Sequence, residues 1–161
     1  MTSVSFIVAT IDRPSLARTL DSIEVLPGDE VLVVAERPPA CLRPDVHRFV
    51  ECQRGNDWGH SERNYATPLA RGAFLSFMDD DDYYAPGHRA AMAAAIEANP
   101  TGPTIFSMRL HHMAGTVLWR HQEIVCGNVG TPMFFAPNDL GKLGTWPPVY
   151  GGDCTFMQSC R

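Results

Sequence analysis

Several common protein classes are disfavoured by what this chain lacks. It has one lysine, Lys142, and a formal net charge of −5, so no overall positive field would attract nucleic acid or an anionic membrane. Its five cysteines include no Cys-x-x-Cys pair, which disfavours a disulfide scaffold or zinc ribbon and predicts free thiols in the cytoplasm. No apolar run approaches the ~20 residues of a membrane span. The N-terminus lacks a charged segment followed by an apolar stretch, so we expect neither an integral membrane segment nor a signal peptide.

The composition that is present is that of a globular protein. Apolar residues make up 45% of the 161 residues, and thirteen glycines and thirteen prolines indicate many turns. A chain of this length can bury a substantial core but is too short for two ordinary domains. We therefore expect a single domain over residues 1–161.

Short apolar runs alternate with helical patterns over the first hundred residues. Strands are predicted where β-branched and aromatic residues cluster, and helices where apolar residues recur every three or four positions. The strands are expected at 4–9, 30–35, 46–52 and 73–78, and the helices at 15–23, 61–71 and 86–98. This alternation predicts an α/β fold with a mostly parallel sheet.

The pattern changes after residue 100. Apolar segments at 104–112 and 116–124 flank Ala114-Gly115, which is typical of an antiparallel hairpin. A further strand is expected at 132–136 and a last helix at 153–160.

Four consecutive aspartates, Asp79 to Asp82, follow the strand at 73–78. Such a run is often a solvated turn. However, it lies at the carboxyl end of a central strand, where open α/β sheets bind ligands. Arg71 is the one basic residue within the ten preceding positions, so a hard divalent cation, Mg²⁺ or Mn²⁺, is the alternative source of compensating charge.

Two glycine-rich phosphate-binding loops are missing from the sequence. It contains neither Gly-x-x-x-x-Gly-Lys-Ser/Thr nor Gly-x-Gly-x-x-Gly. A bound phosphate group would therefore be held by a metal rather than by a glycine cradle. Asp79 and Asp81 alternate, so they point the same way on an extended segment.

The acidic run is part of a longer pattern that resembles family 2 glycosyltransferases with the GT-A fold. Phe74 to Asp82 follows Glu62-Arg63-Asn64 and Ala70-Arg71-Gly72, as the family's Asp-x-Asp-Asp turn follows an Ala-Arg-Asn on a helix. Glu62 stands where Ala is commoner. Ser5 to Pro14 is similar to the family's first nucleotide-binding strand and loop, and Val33 to Glu36 falls where an acidic pair usually stands.

The resemblance implies a GT-A fold with a mostly parallel central sheet, helices on both faces and a small antiparallel hairpin. Residues 1–99 would form the nucleotide-sugar-binding half, and 100–161 the acceptor-side half. The implied activity is an inverting, metal-dependent transfer of a sugar from a UDP- or GDP-linked donor to an acceptor hydroxyl, with Mn²⁺ or Mg²⁺ as cofactor.

The resemblance also assigns roles in binding the donor. Asp81 would contact the metal that bridges the two phosphates, and Asp79 would approach the ribose or the metal. Asp80 is grouped with the nucleotide-sugar-binding residues. It is expected either to support the residues that contact the ligand from behind or to lie in solvent. Thr10 and Glu36 fall where the family holds the base.

Arg63 matches an arginine that the family places near the nucleotide, and a planar guanidinium suits contact with a phosphate or a carboxylate. A surface charge on a helix is the equal alternative for this residue.

On the acceptor side, the resemblance points to Asp153 as the base that takes the acceptor proton. A position at a helix start favours the ionised carboxylate, although a simple N-cap role is equally compatible. Trp58, Trp119 and Trp146 could stack on sugar faces, with core or rim packing as the alternative. Trp146 is the best acceptor-side candidate, because it lies just before Asp153. His60 could contact a phosphate or the acceptor. Cys154 is expected to be a buried thiol.

Two other functions stay open from the sequence. A nucleotidyltransferase would also place metal-binding acids on an α/β sheet but would release pyrophosphate. A non-catalytic sugar-nucleotide-binding module would have no turnover. We expect no nucleic-acid partner and a cytoplasmic protein, and a homo-oligomer is compatible with the sequence; the acceptor is undetermined.

Overall fold

The strands predicted in the first half lie side by side in the computed structural model, which describes residues 2–119 and 121–160. The strands are β1 (Val4–Ala9), β2 (Glu30–Ala35), β3 (His47–Glu51), β4 (Phe74–Asp79), β5 (Thr104–Ile105), β6 (Arg109–Leu110), β7 (Thr116–Val117) and β8 (Phe134–Pro137). The helices are α1 (Leu16–Asp21), α2 (His60–Ala66), α3 (His88–Ala98) and α4 (Gly152–Ser159).

Six of these strands form the main sheet, in the order β3-β2-β1-β4-β8-β5. The first four pair in parallel, as the alternation of strands and helices predicts. β8 runs antiparallel to both β4 and β5. The sheet is therefore mostly parallel with an antiparallel edge.

The predicted hairpin is present but much shorter than expected. β6 and β7 pair over two residues each, and residues 104–105 instead join the main sheet as β5. The extended run expected over 116–124 is interrupted because Trp119 and Gln122 have φ angles of 72° and 50°. That left-handed conformation ends a strand whatever the apolar pattern around it.

Side chains of the central strands alternate between two apolar layers, so helices cover both faces of the sheet as expected. α1 and α3 pack on one face, and α2 and α4 on the other. Because both of their faces are buried, the central strands β1, β2 and β4 are nearly continuous apolar runs. The α1/α3 layer includes Phe6, Val8, Leu16, Val33 and Met92, and the α2/α4 layer includes Ile7, Leu32, Ala66, Phe77 and Phe156.

A buried ion pair ties α3 to the turn before β2. The Arg89 guanidinium donates two hydrogen bonds to the Asp29 carboxylate, at 2.8 and 3.0 Å. Asp29 also accepts hydrogen bonds from the backbone N–H groups of Val4 and Leu26. Burial acts to raise the pKa of Asp29, but Arg89 and these N–H groups outweigh it and lower the pKa overall.

The prediction that all five cysteines are free thiols is wrong for two of them. A disulfide joins Cys126 and Cys154. Their separation of 28 positions gave no local signal; they meet because the loop before Cys126 packs on α4, where Gln158 donates to the Ile124 carbonyl oxygen at 2.7 Å. The other three are free: Cys41, Cys52 and Cys160.

Within the described residues, no helix combines the length and the apolar character needed to cross a membrane.

Candidate active site

The candidate site lies where the strand order of the main sheet reverses. β2 and β3 lie on one side of β1 and β4 lies on the other, so the carboxyl ends of β1 and β4 border a crevice. Open α/β sheets bind ligands at such a switch point. A cleft of about 570 Å³ opens there, between the loop after β1, the acidic run and the starts of α2 and α4.

The cleft is strongly acidic. Among the residues that the structure describes, six carboxyl side chains and two guanidinium groups line it, a formal net charge of −4. A nucleoside diphosphate entering such a cleft would meet repulsion unless a cation accompanied it. The charged lining residues are Asp57, Glu62, Asp79, Asp80, Asp81, Asp153, Arg13 and Arg54.

Two arginines that are distant in sequence neutralise part of the acidic run. Arg63 on α2 forms an ion pair with Asp79. Arg13, in the loop after β1, pairs with Asp81 and lies 3.3 Å from Asp80. The acidic run therefore does not depend on a metal alone for compensating charge, because basic residues that are distant along the chain lie beside it in the fold.

Burial and mutual repulsion also weaken the charge of the run. Burial raises the pKa of Asp79, the Arg63 guanidinium opposes the rise, and the neighbouring carboxylates add to it. Burial, followed by the charges of Asp79 and Asp81, raises the pKa of Asp82 to about 7. Near neutral pH the run thus carries less than its four formal negative charges.

Asp80 supports the loop that follows β1. Its Oδ2 accepts hydrogen bonds from the Thr10 hydroxyl (2.7 Å) and the Ile11 backbone N–H (3.0 Å). Asp80 and Thr10 are both buried, although both line the cleft. The solvated position considered for Asp80 is therefore wrong, and the structure places it behind the motif.

Arg63 is the most deeply buried charge of the site, with 1% of the residue exposed. Its Nη1 donates to the Trp58 carbonyl oxygen at 2.9 Å, and its Cζ lies 5.1 Å from the centre of the Trp146 ring. The alternative of a helix-surface charge is excluded by this burial. The guanidinium is held at the base of the cleft behind Asp79.

Trp146 lies elsewhere than the acceptor-side expectation placed it. It is 2% exposed, and its ring stacks on Phe156 with centroids 3.9 Å apart. The Asn64 side chain bonds both the N–H and the carbonyl oxygen of Trp146, at 2.9 and 2.8 Å, which pins this loop to α2. The indole belongs to the core, so its faces are not open to a sugar.

His60 begins α2 and lines the cleft. Its Nδ1 lies 2.6 Å from the Pro147 carbonyl oxygen. A carbonyl only accepts hydrogen bonds, so Nδ1 carries the proton and Nε2 is the acceptor in the neutral ring. Gly152 packs directly on this ring, where a Cβ atom would come within 2.5 Å of Cε1.

Asp153 lies in the first turn of α4 and lines the cleft. Gly151 occupies the N-cap position and no side chain caps this helix, so Asp153 is not the N-cap. Its Oδ1 accepts a hydrogen bond from the Thr131 hydroxyl at 2.8 Å. That contact fixes the carboxylate at the edge of the cleft.

Glu36 stands apart from the other predicted residues. It is exposed just after β2 and accepts a hydrogen bond from the Arg54 backbone N–H at 3.2 Å. Arg54 lines the cleft and Glu36 does not. The structure thus brings together Thr10, His60, Asp79, Asp80, Asp81 and Asp153 along the cleft, with Arg63 at its base.

The sequence profile of "Glycosyl transferase family 2" matches residues 5–159, which is nearly the whole chain. The chain belongs to glycosyl transferase family 2. A Bacillus subtilis (strain 168) relative, named uncharacterized glycosyltransferase YwdF, is 30% identical over 102 residues, 58% of this chain and 38% of that protein.

Solved structures confirm the GT-A fold of this family 2 member. S. aureus TarS (residues 1–349) matches with a TM-score of 0.78 and 18% identity, over 98% of this chain and 54% of that one. The mannosyltransferase PcManGT from Pyrobaculum calidifontis, in complex with GDP-Man and Mn²⁺, matches with a TM-score of 0.66 and 19% identity, over 94% and 49%. The chain thus spans about half the length of these structures and less of the curated relative.

Several residues that line the cleft carry no motif in the sequence. Arg13 stands in the Asp-Arg-Pro segment, which indicates only the end of β1, and Thr131 begins a short 3-10 turn before β8. Tyr150 lies at the cleft mouth beside Trp58, which the sequence offers as a residue that could stack on a sugar. The available signal for Tyr150 was its position just before the helix that carries Asp153.

The residues of the cleft fit a divalent metal that is held largely by the donor. Within the described residues there is no group of three or more His, Cys, Asp or Glu side chains arranged to hold an ion. Asp81 lines the cleft with about half of its side chain exposed. Mg²⁺ and Mn²⁺ are commonly bound by one or two carboxylates together with substrate phosphates and water, and the net negative charge of the cleft favours this arrangement.

Proposed function

We propose that this family 2 chain transfers a sugar, with inversion, from a UDP- or GDP-linked donor to an acceptor hydroxyl. The observation that carries the proposal is the convergence of Asp79, Asp81 and Asp153 in one cleft at the switch point, with Arg63 behind them. The residues come from the end of β4, the turn that follows it, α2 and α4, so elements distant along the chain contribute to one cleft.

The donor is proposed to lie across the carboxyl ends of β2, β1 and β4. Its nucleoside would lie toward Thr10 and the end of β2, and its diphosphate beside Asp79 and Asp81. Arg13 is about half exposed in the cleft, so it can turn from Asp81 to a phosphate oxygen. Structures of TarS with UDP-GlcNAc and of PcManGT with GDP-Man support a nucleotide-sugar donor in this fold.

Mn²⁺ or Mg²⁺ is the proposed cofactor, with Asp81 as its protein ligand. When bound, such an ion would stabilise the charge that develops on the departing nucleoside diphosphate. Asp79 would remain paired with Arg63 and would face the ribose or the ion. The PcManGT complex with GDP-Man and Mn²⁺ supports the use of a divalent ion in this fold.

Asp153 is the proposed general base. Thr131 holds one carboxylate oxygen, which orients the group toward the cleft. The acceptor hydroxyl gives its proton to Asp153 while its oxygen attacks the anomeric carbon on the face opposite the diphosphate, and the bond from that carbon to the diphosphate oxygen breaks as the nucleoside diphosphate leaves. The new bond then has the inverted configuration. His60, with its proton on Nδ1, would offer Nε2 to a substrate hydroxyl.

Substitution of Asp153 tests the proposal. We expect Asp153→Asn to lower turnover about 10²–10⁴-fold, measured as release of UDP or GDP from UDP- or GDP-linked sugars. Binding of the nucleotide should change little, and Asp21→Asn, a mostly exposed acid on α1, should change neither. A wild-type chain without turnover would support a binding module instead, and pyrophosphate release would support a nucleotidyltransferase.

The metal is tested by thermal unfolding with UDP, GDP and their sugars, each with and without Mn²⁺. A ligand at a hundredfold excess over its dissociation constant stabilises the folded state by about 2.7 kcal/mol. We expect this shift with Mn²⁺ and a smaller one for Asp81→Asn. No metal-dependent shift with any nucleotide would refute the metal assignment.

A further inference from the structure

Two aromatic side chains stand largely in solvent at the mouth of the cleft. Trp58 is 60% exposed and Tyr150 is 86% exposed. Their ring centroids lie 5.8 Å apart with planes at 69°, so one ring presents its edge to the other. Both residues line the same cleft as Asp153.

The backbone beneath these rings is fixed even though the rings are exposed. Trp58 has a φ of 61°, which is uncommon for a residue other than glycine, and its carbonyl oxygen accepts the hydrogen bond from Arg63. Tyr150 directly precedes Gly151, the N-cap residue of α4. The two rings are therefore anchored to the elements that carry Arg63 and Asp153.

We infer that the Trp58–Tyr150 pair forms the acceptor subsite and that the acceptor is a saccharide. This inference rests on the proposed function. A pyranose ring stacks the apolar C–H groups of one face on an aromatic ring, and its hydroxyl groups point outward along its edge. The exposed indole supplies the aromatic face, and the polar side chains of Arg54, Asn56 and Asp57 line the cleft nearby.

Other occupants fit the chemistry of this region less well. A lipid chain needs a continuous apolar wall, whereas this cleft has six carboxyl side chains. A nucleobase could also stack on an indole. However, Trp58 packs against Tyr150 in the segment that leads into α4, whereas the proposed base position lies toward Thr10 and the end of β2. The contact of Trp58 with Tyr150, three residues before Asp153, places the pair on the acceptor side.

Saturation-transfer NMR tests the inference without knowledge of the natural acceptor. The probes are the methyl glycosides of glucose, galactose, mannose and N-acetylglucosamine, with cellobiose and maltose, each added to the protein with UDP or GDP and Mn²⁺. We expect saturation at the ring C–H protons of at least one probe. Trp58→Ala and Tyr150→Ala should each weaken binding about tenfold, which corresponds to about 1.4 kcal/mol. Trp58→Phe should weaken it less.

Tyr65→Ala is the matched control, because Tyr65 is a half-exposed aromatic of α2 that does not line the cleft. It should bind the probe as the wild type does. The dissociation constants of UDP and GDP should be unchanged in all of these variants. Thermal unfolding checks that each variant is folded.

Three results would overturn the inference. The first is a wild-type protein that binds nucleotide but no saccharide probe. The second is equal probe binding by wild type, Trp58→Ala and Tyr150→Ala. The third is weaker nucleotide binding in Trp58→Ala with unchanged probe binding, which would make the pair a base platform. A wild type that binds saccharide but no nucleotide would instead refute the proposed donor while leaving the saccharide subsite supported.

Discussion

Removal of the buried Arg63 charge separates the structural role of this residue from its role in binding the donor. Arg63→Met keeps most of the side-chain volume and deletes the guanidinium. Asp79 would then face Asp80, Asp81 and Asp153 without its counter-ion, and these carboxylates already raise its pKa. The reverse substitution, Asp79→Asn, leaves a guanidinium in a position that is 1% exposed.

The expected cost follows from the burial of the two partners. Removing one partner of a fully buried pair costs about 3–5 kcal/mol. Asp79 keeps 34% of its side chain exposed, so solvent screens its charge and we expect a loss of about 2–3 kcal/mol of unfolding free energy for each single variant. The double variant leaves neither charge unpaired, so it should recover about 1 kcal/mol or more relative to the sum of the single losses.

Urea unfolding of the four proteins measures this coupling, and calorimetric titration with UDP and GDP in Mn²⁺ measures donor binding. Stability should partly return in the double variant, whereas nucleotide affinity should stay low because the variant still lacks the Asp79 carboxylate, which lines the cleft, and the guanidinium that holds it from behind. Arg43→Met is the control: its partner Asp21 is 3.7 Å away and both are exposed, so the change should stay within about 0.5 kcal/mol.

Simple additivity of the two single losses would refute the ion-pair argument, since uncoupled groups have additive effects. Unchanged nucleotide affinity in all three variants would instead remove Arg63 and Asp79 from the donor site while leaving their structural role intact.

Two further predictions concern stability. Asp29→Asn should cost about 3–5 kcal/mol of unfolding free energy near neutral pH, because it leaves Arg89 buried without its partner. The folded state lowers the pKa of Asp29. The extra stability of the wild type over Asp29→Asn is therefore present above the unfolded pKa of Asp29 and lost as the pH falls through its folded pKa. Urea unfolding at neutral and acid pH measures this, and a constant difference between the two proteins would contradict it. Gly152→Ala should cost about 1–3 kcal/mol in thermal unfolding, because its Cβ would clash with His60. Gly130→Ala, whose Cβ would lie 3.6 Å from its nearest neighbour, is the control, and equal loss in both would contradict the clash.

Much of the parallel core could be predicted from the sequence because its signals are local. The run at 31–35, Val-Leu-Val-Val-Ala, is apolar at every position, and that pattern follows from burial on both faces of a parallel sheet. The position of the acidic run is equally predictable, since a charged segment directly after a buried strand must leave the core at the carboxyl end of that strand. The second half was less predictable because β5, β6 and β7 are two residues each, too short to show a period.

The sequence predicts the site residues that belong to a motif. It does not predict the residues that reach the site only through the fold. Asp79, Asp81 and Asp153 line one cleft as the family resemblance implied, although their roles remain predictions. Trp146 was misjudged because an aromatic in a proline-rich loop has the same sequence pattern whether it packs inward or outward. Its burial depends on the bonds that Asn64 makes to its backbone, 82 positions earlier in the chain.

Local patterning of apolar and acidic residues thus determined the sheet, its helical layers and the position of the acidic turn. Only the folded chain decided what surrounds that turn. Arg13 and Arg63 reach the aspartates from 68 and 16 positions away, and Cys126 meets Cys154 across 28. Charge compensation and cross-linking depend on distances in space, because Coulomb energy and bond geometry act between neighbouring atoms wherever they lie along the chain.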